Sequence, residues 1–275
     1  MRGGAGVLRR LVASALAAGL AAPAIGQEPA RPGRAFSTDR PDKTESPFTV
    51  PAGRVQVEAE PLGWTRDTDE GFRVTRVSAG AFNLKLGMAR EADVQLIVEP
   101  YVREVREDAR AGTRERVGGF GDVTLRLKRN LWGDDGGATA FALMPFVTLP
   151  TNRGDLGADR VEFGLIAPLA LDLADGLGLG VMTELDVVER ERGGGYAASF
   201  VNSASLGVDV TERLGAYAEL WTERSTERGS RWAVTGDMGV TFLAAEDLQL
   251  DAGVNLGLTR AADDLNIFVG MSQRF

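Results

Sequence analysis

Apolar and polar residues alternate with a period of two through most of the chain beyond Gly53. Val161, Phe163, Leu165, Ala167, Leu169 and Leu171 interleave with Glu162, Gly164, Ile166, Pro168, Ala170 and Asp172. The same rhythm runs through 177–187, 248–258 and 265–275. Such alternation is the signature of strands with one apolar and one polar face. Twelve strands are predicted, at about 53–64, 73–87, 92–104, 120–131, 138–149, 160–172, 176–188, 197–211, 213–223, 231–243, 247–258 and 264–275. The second is the least regular, because its phase slips between Val77 and Phe82.

The connections alternate as well. Tight turns such as Met88–Glu91 and Ala174–Asp175 follow even strands. Longer polar loops follow odd ones, at Val105–Gly119, Pro150–Asp159, Glu189–Tyr196 and Arg224–Ser230. All long loops then lie at one end, the layout of a transmembrane antiparallel up-and-down β-barrel. Strands of about 12 residues exceed the 9–11 needed to cross a bilayer at a tilt. In lipid every backbone group must be paired, which requires closure. The alternative is a soluble periplasmic barrel or two-sheet protein with its apolar face turned inward.

Residues 1–26 read as a cleaved export signal. Arg2, Arg9 and Arg10 precede a short apolar run from Leu11 to Ala22, and small residues follow, with cleavage after Ala24 or Gly26. Loss of three Arg and no acid takes the formal charge from −8 to −11. That balance argues against a nucleic-acid partner. The sequence holds neither Cys nor His, which excludes disulfide scaffolds, thiolate and imidazole metal sites and His-dependent triads. No cofactor or metal and no enzymatic activity is implied.

Turning the apolar face outward sends a charged set into the lumen: Glu58, Glu60, Lys85, Asp93, Glu99, Arg103, Arg126, Lys128, Glu162, Glu184, Asp186, Asp209, Glu219, Asp237, Asp251 and Arg274. Such a set serves either as a solute pathway or as an internal ion-pair network that fills a narrow barrel. The pair Glu184/Asp186 shares a face but is a weak signal for acid/base chemistry. Trp64, Trp132, Trp221 and Trp232 sit near strand ends, as interfacial girdles require. Phe275 closes an apolar alternation, like an outer-membrane assembly signal.

Between signal and barrel, residues 27–52 carry Pro29, Pro32, Pro41, Pro47 and Pro51, which exclude a helix or central strand. Within them Thr38, Asp39, Arg40, Pro41, Asp42, Lys43, Thr44, Glu45, Ser46 and Pro47, followed by Val50–Gly53, resemble the opening of the "MetA-pathway of phenol degradation" transporter-like family. Gly119-Phe120-Gly121-Asp122, Met144-Pro145 and Leu149-Pro150-Thr151 are similar to it too. The resemblance implies an outer-membrane transporter-like barrel for small solutes, hydrophobic or aromatic compounds among the candidates, and fixes no substrate. Its partners would be outer-membrane lipid, the outer-membrane assembly machinery and a small solute. The rival is a structural barrel with a blocked lumen; an adhesin-like role for the loops is a third reading. The segment 27–52 is expected to plug the lumen or cap its mouth, or else to be a disordered linker. As a plug, Asp39, Asp42 and Glu45 would meet Arg126, Lys128 or Arg274, and Arg40 and Lys43 would meet the acidic wall.

Overall fold

A computed structural model describes residues 35–152, 156–190 and 194–275. The expected export signal, residues 1–26, and residues 27–34 lie outside them. The strands are β1 (Val55–Asp69), β2 (Phe72–Ala89), β3 (Ala92–Val98), β4 (Tyr101–Asp108), β5 (Thr113–Gly119), β6 (Val123–Trp132), β7 (Thr139–Leu149), β8 (Glu162–Ala174), β9 (Leu177–Glu189), β10 (Tyr196–Asp209), β11 (Leu214–Ser225), β12 (Ala233–Ala245), β13 (Leu248–Gly257) and β14 (Leu265–Arg274). Each pairs antiparallel with its neighbours, and β1 pairs with both β14 and β2, which closes the sheet. β3 and β4 are one spanning strand broken at Glu99-Pro100, and β5 and β6 another broken at Phe120–Asp122. The barrel therefore has twelve strands. Phe275 completes the seam, its N–H donating to the Val55 carbonyl at 2.7 Å.

The outward face is apolar. Leu86, Leu127, Leu165, Leu185, Phe200, Leu220, Met238 and Ile267 are all exposed, whereas Gln56, Glu58, Lys85, Asp93, Lys128, Asp237 and Ser272 are buried. A water-soluble barrel requires the reverse, so the exposed belt matches a hydrocarbon surrounding. We expect Leu165→Arg and Val254→Arg each to destabilise the inserted barrel by about 2–4 kcal/mol. Polar replacement of inward Asn255 should cost much less. Denaturant titrations of vesicle-inserted protein measure both; equal costs would contradict this orientation.

Four strands depart from simple alternation along a common line. Pro61 interrupts the β1–β14 register between Ala59 and Leu62. Opposite it, Gly80 takes φ +72° and is skipped in the β1–β2 register. Pro100 and the stretch Phe120–Asp122 continue the line across the next two strands. Proline removes a ladder donor, and glycine takes the left-handed bulge conformation without a Cβ clash. Each interruption shifts the side-chain phase by one residue. Beyond the line the span predicted as a loop, Val105–Gly119, is instead a hairpin of β4 and β5 turning at 109–112. There β5 pairs only with β4, so β1, β2, β4 and β5 form a four-stranded flap with a free edge at β5, still joined to β14 through β1 as far as Arg66.

Candidate functional site

The segment Phe36–Pro51 runs among the inward side chains without regular secondary structure. Its prolines prevent it from joining the ladder, so side chains of the wall satisfy its backbone groups. The Glu58 carboxylate accepts from the Asp39 N–H at 3.1 Å. Glu219 accepts from the N–H groups of Lys43 and Thr44 at 2.9 and 2.8 Å. Asp134 accepts from Thr49 and Asp93 from Val50, both at 3.0 Å. The Asn130 amide donates to the Pro47 carbonyl at 2.9 Å and Lys128 to that of Phe48 at 3.2 Å. The last turn passes so close to β2 that a Cβ at Gly87 would lie 2.1 Å from the Pro51 oxygen. Only glycine fits there.

Charge pairing follows the same path. Asp39 lies between Lys85 and Lys128, at 2.5 and 2.6 Å, and Lys85 also contacts Glu58. Burial alone would raise the Asp39 pKa, but the two ammonium groups outweigh it and hold the carboxyl well below the usual range. Arg40 binds Asp251 at 2.8 Å, reaches Glu60 at 3.5 Å and stacks over Phe268. Lys43 binds Asp237 at 3.1 Å and sits 4.5 Å from the Trp221 ring centre. Glu45 pairs with Arg126 at 2.5 Å. Within the segment, the Ser46 N–H donates to Asp39 at 3.1 Å and the Thr38 hydroxyl to the Arg40 carbonyl at 2.6 Å. Asp42 has no basic partner among the described residues. Burial, with Glu219 nearby, pushes its carboxyl up to about 7.

The remaining charged positions divide. Glu162 accepts from the Glu189 N–H at 2.8 Å, and Glu184 and Asp186 face inward on β9. Glu99 binds Arg76 at 2.9 Å, and Asp209 is exposed at the rim beside Gly176. Arg274 pairs with Asp247 and also stacks over the Phe36 ring of the N-terminal segment, 5.4 Å from its centre. Two expectations fail. Arg103 is exposed on the outer face, because the break at Pro100 reverses the phase of β4. Trp221 points inward, since it shares a phase with Tyr217 and Glu219.

Trp221 belongs to a feature missed in the sequence. Met144, Ile166, Met182 and Val201 form a buried cluster on the inner wall, with Phe146 and Trp221 packed against it. Met182 touches the segment, its sulfur 3.4 Å from the Glu45 nitrogen. The signal was the inward phase of residues 144 and 146 and of Ile166, which carries apolar side chains where a water-filled lumen carries polar ones. On the other side of the segment, a cavity of about 730 Å³ opens toward the tight turns. Pro41, Asp42, Phe48, Ser205, Tyr217 and Thr241 border it.

The match to known proteins bears on this geometry. A family described as "Putative MetA-pathway of phenol degradation" matches residues 38–275, from the first ionic contacts of the segment to the seam. The chain belongs to that family. No curated protein matches it in sequence. Among solved structures, the β-domain of the Bordetella autotransporter BrkA is similar, with a TM-score of 0.54 and 13% identity over 82% of this chain and 100% of that one. The NanC porin gives 0.51 and 10% over 80% and 98%. The translocator domain of NalP from Neisseria meningitidis gives 0.51 and 10% over 81% and 88%. These likenesses concern the fold, that of outer-membrane barrels.

Proposed function

We propose that this family member is an outer-membrane channel for small apolar or aromatic solutes, closed in this conformation by residues 36–50. The observation that carries the reading is the apolar cluster around Met182 and Trp221, set in a wall that is otherwise mostly polar and charged. An apolar lumen patch supplies no group that coordinates an ion. It lowers the cost of moving an apolar solute across, because such a solute keeps apolar contacts on the way. The segment lies directly on this patch, so passage requires that it move. Tight turns then face the periplasm and the flap faces outward. The rival, a purely structural barrel, draws support from the density of buried ion pairs around Asp39.

Uptake into vesicles tests the reading. Over the rate into protein-free vesicles, which phenol crosses unaided, the protein should speed phenol more than glycerol, and Met182→Asp combined with Trp221→Asp should abolish that difference. Acceleration that follows solute size alone would contradict the apolar pathway, and acceleration of neither solute would favour the structural barrel.

A further inference from the structure

The outward face of the flap carries a concentration of positive charge in an otherwise acidic protein. Register places Arg66, Thr75, Val105 and Arg116 in one row across β1, β2, β4 and β5, and Thr68, Arg73, Glu107 and Arg114 in the next. Below them lies the row Trp64, Val77, Arg103 and Gly118, then Leu62, Ala79 and Tyr101. Side chains paired across a sheet share a face. Five arginines and one glutamate therefore stand on one surface, and all five arginines are exposed. Only Arg114 has an ionic partner there among the described residues, Glu107 at 3.2 Å. The inner face of the same flap is acidic: Arg76 and Arg106 are both bound to Glu104, and Asp67, Asp69, Asp108 and Glu115 share that face.

The position matters as much as the charge. The arginines begin where the apolar belt ends, one row above Tyr101 and beside Trp64, residues of the type that mark a membrane interface. Strands lie about 4.8 Å apart and successive outward side chains about 7 Å apart, so Arg103 and Arg116 are diagonal neighbours within reach of a common anion. Guanidinium groups bind phosphate oxygens in bidentate fashion. We infer that the outer face of the flap binds the phosphate groups of phosphorylated glycolipid headgroups in the surrounding leaflet. The contact would anchor the flap against the bilayer surface, leaving its inner face over the lumen. This rests on the reading that the belt is embedded, which vesicle flotation measures independently.

The test uses the full-length refolded protein in detergent, titrated with diphosphorylated lipid A and with its dephosphorylated form. The parent should bind the phosphorylated form at least about tenfold more tightly. Arg73→Gln, Arg103→Gln and Arg116→Gln combined should remove that preference. Removing Arg129, Arg213 and Arg260 in the same way should not. Equal affinity of the parent for both lipids, or an unchanged preference in the flap variant, would overturn the inference. Displacement of the lipid by millimolar inorganic phosphate alone would also overturn it, because the site would then be one for the free anion.

Discussion

Asp39→Asn should loosen the N-terminal segment by about 3–5 kcal/mol, the typical cost of removing one partner from a buried ion pair. Asp39, Lys85 and Lys128 are all nearly enclosed, with side-chain exposures of 7%, 3% and 1%. Lys85 would keep Glu58, but Lys128 would lose its one close carboxylate and keep the Phe48 carbonyl, with Glu45 and Asp93 farther off. An ammonium group in that position has lost its water and its nearest counter-charge together. The barrel itself should survive, because its ladder runs through twelve paired strands that Asp39 does not join. Proteolysis of residues 36–50 in folded, heat-modifiable protein separates the two effects. The segment should become cleavable in the variant and stay protected in the parent. Asp39→Leu with Lys128→Met, which removes both charges, should restore much of the protection. If Asp39→Asn left the segment as resistant as the parent, the cluster would not be what holds it.

The barrel was legible in the sequence wherever alternation runs unbroken. From 160 to 275 every predicted strand lies within a few residues of an observed one, because a lipid-facing stripe must repeat at every second residue. Legibility failed in the first four strands. Pro61, Gly80, Pro100 and Phe120–Asp122 each shift the phase, so a residue such as Arg103, assigned inward by counting from Asp93, faces outward. The slip noted near Val77–Phe82 was the trace of one of these, the bulge at Gly80. Trp221 was misplaced for another reason. Position near a strand end suggested a girdle, whereas the parity it shares with Glu219 decides its face. The charge complement of Asp39, Arg40 and Glu45 with the wall was readable by sign. Which acid meets which base was not, since register between a Pro-rich segment and a barrel is set by side-chain contacts rather than by a ladder.

The second large effect concerns the segment as a whole. Residues 36–50 bind the barrel through Glu58, Asp93, Glu219, Asp237 and Asp251 on strands around it and through Asp134 in the β6–β7 turn. Deleting residues 27–48 behind an intact signal removes most of these contacts and no strand. It leaves Lys85 and Lys128 facing Glu58 and Asp93 across a lumen that water can enter, where exposed pairs cost little. Insertion should persist, because belt and seam are untouched. The direct measurement is single-channel conductance in planar bilayers, parent against the 27–48 deletion, at equal numbers of inserted barrels. Closure by the segment predicts a parent that conducts little and a deletion that conducts about tenfold more or better, as expected when a constriction in a water-filled pore is removed. Equal conductance of the two proteins would contradict it.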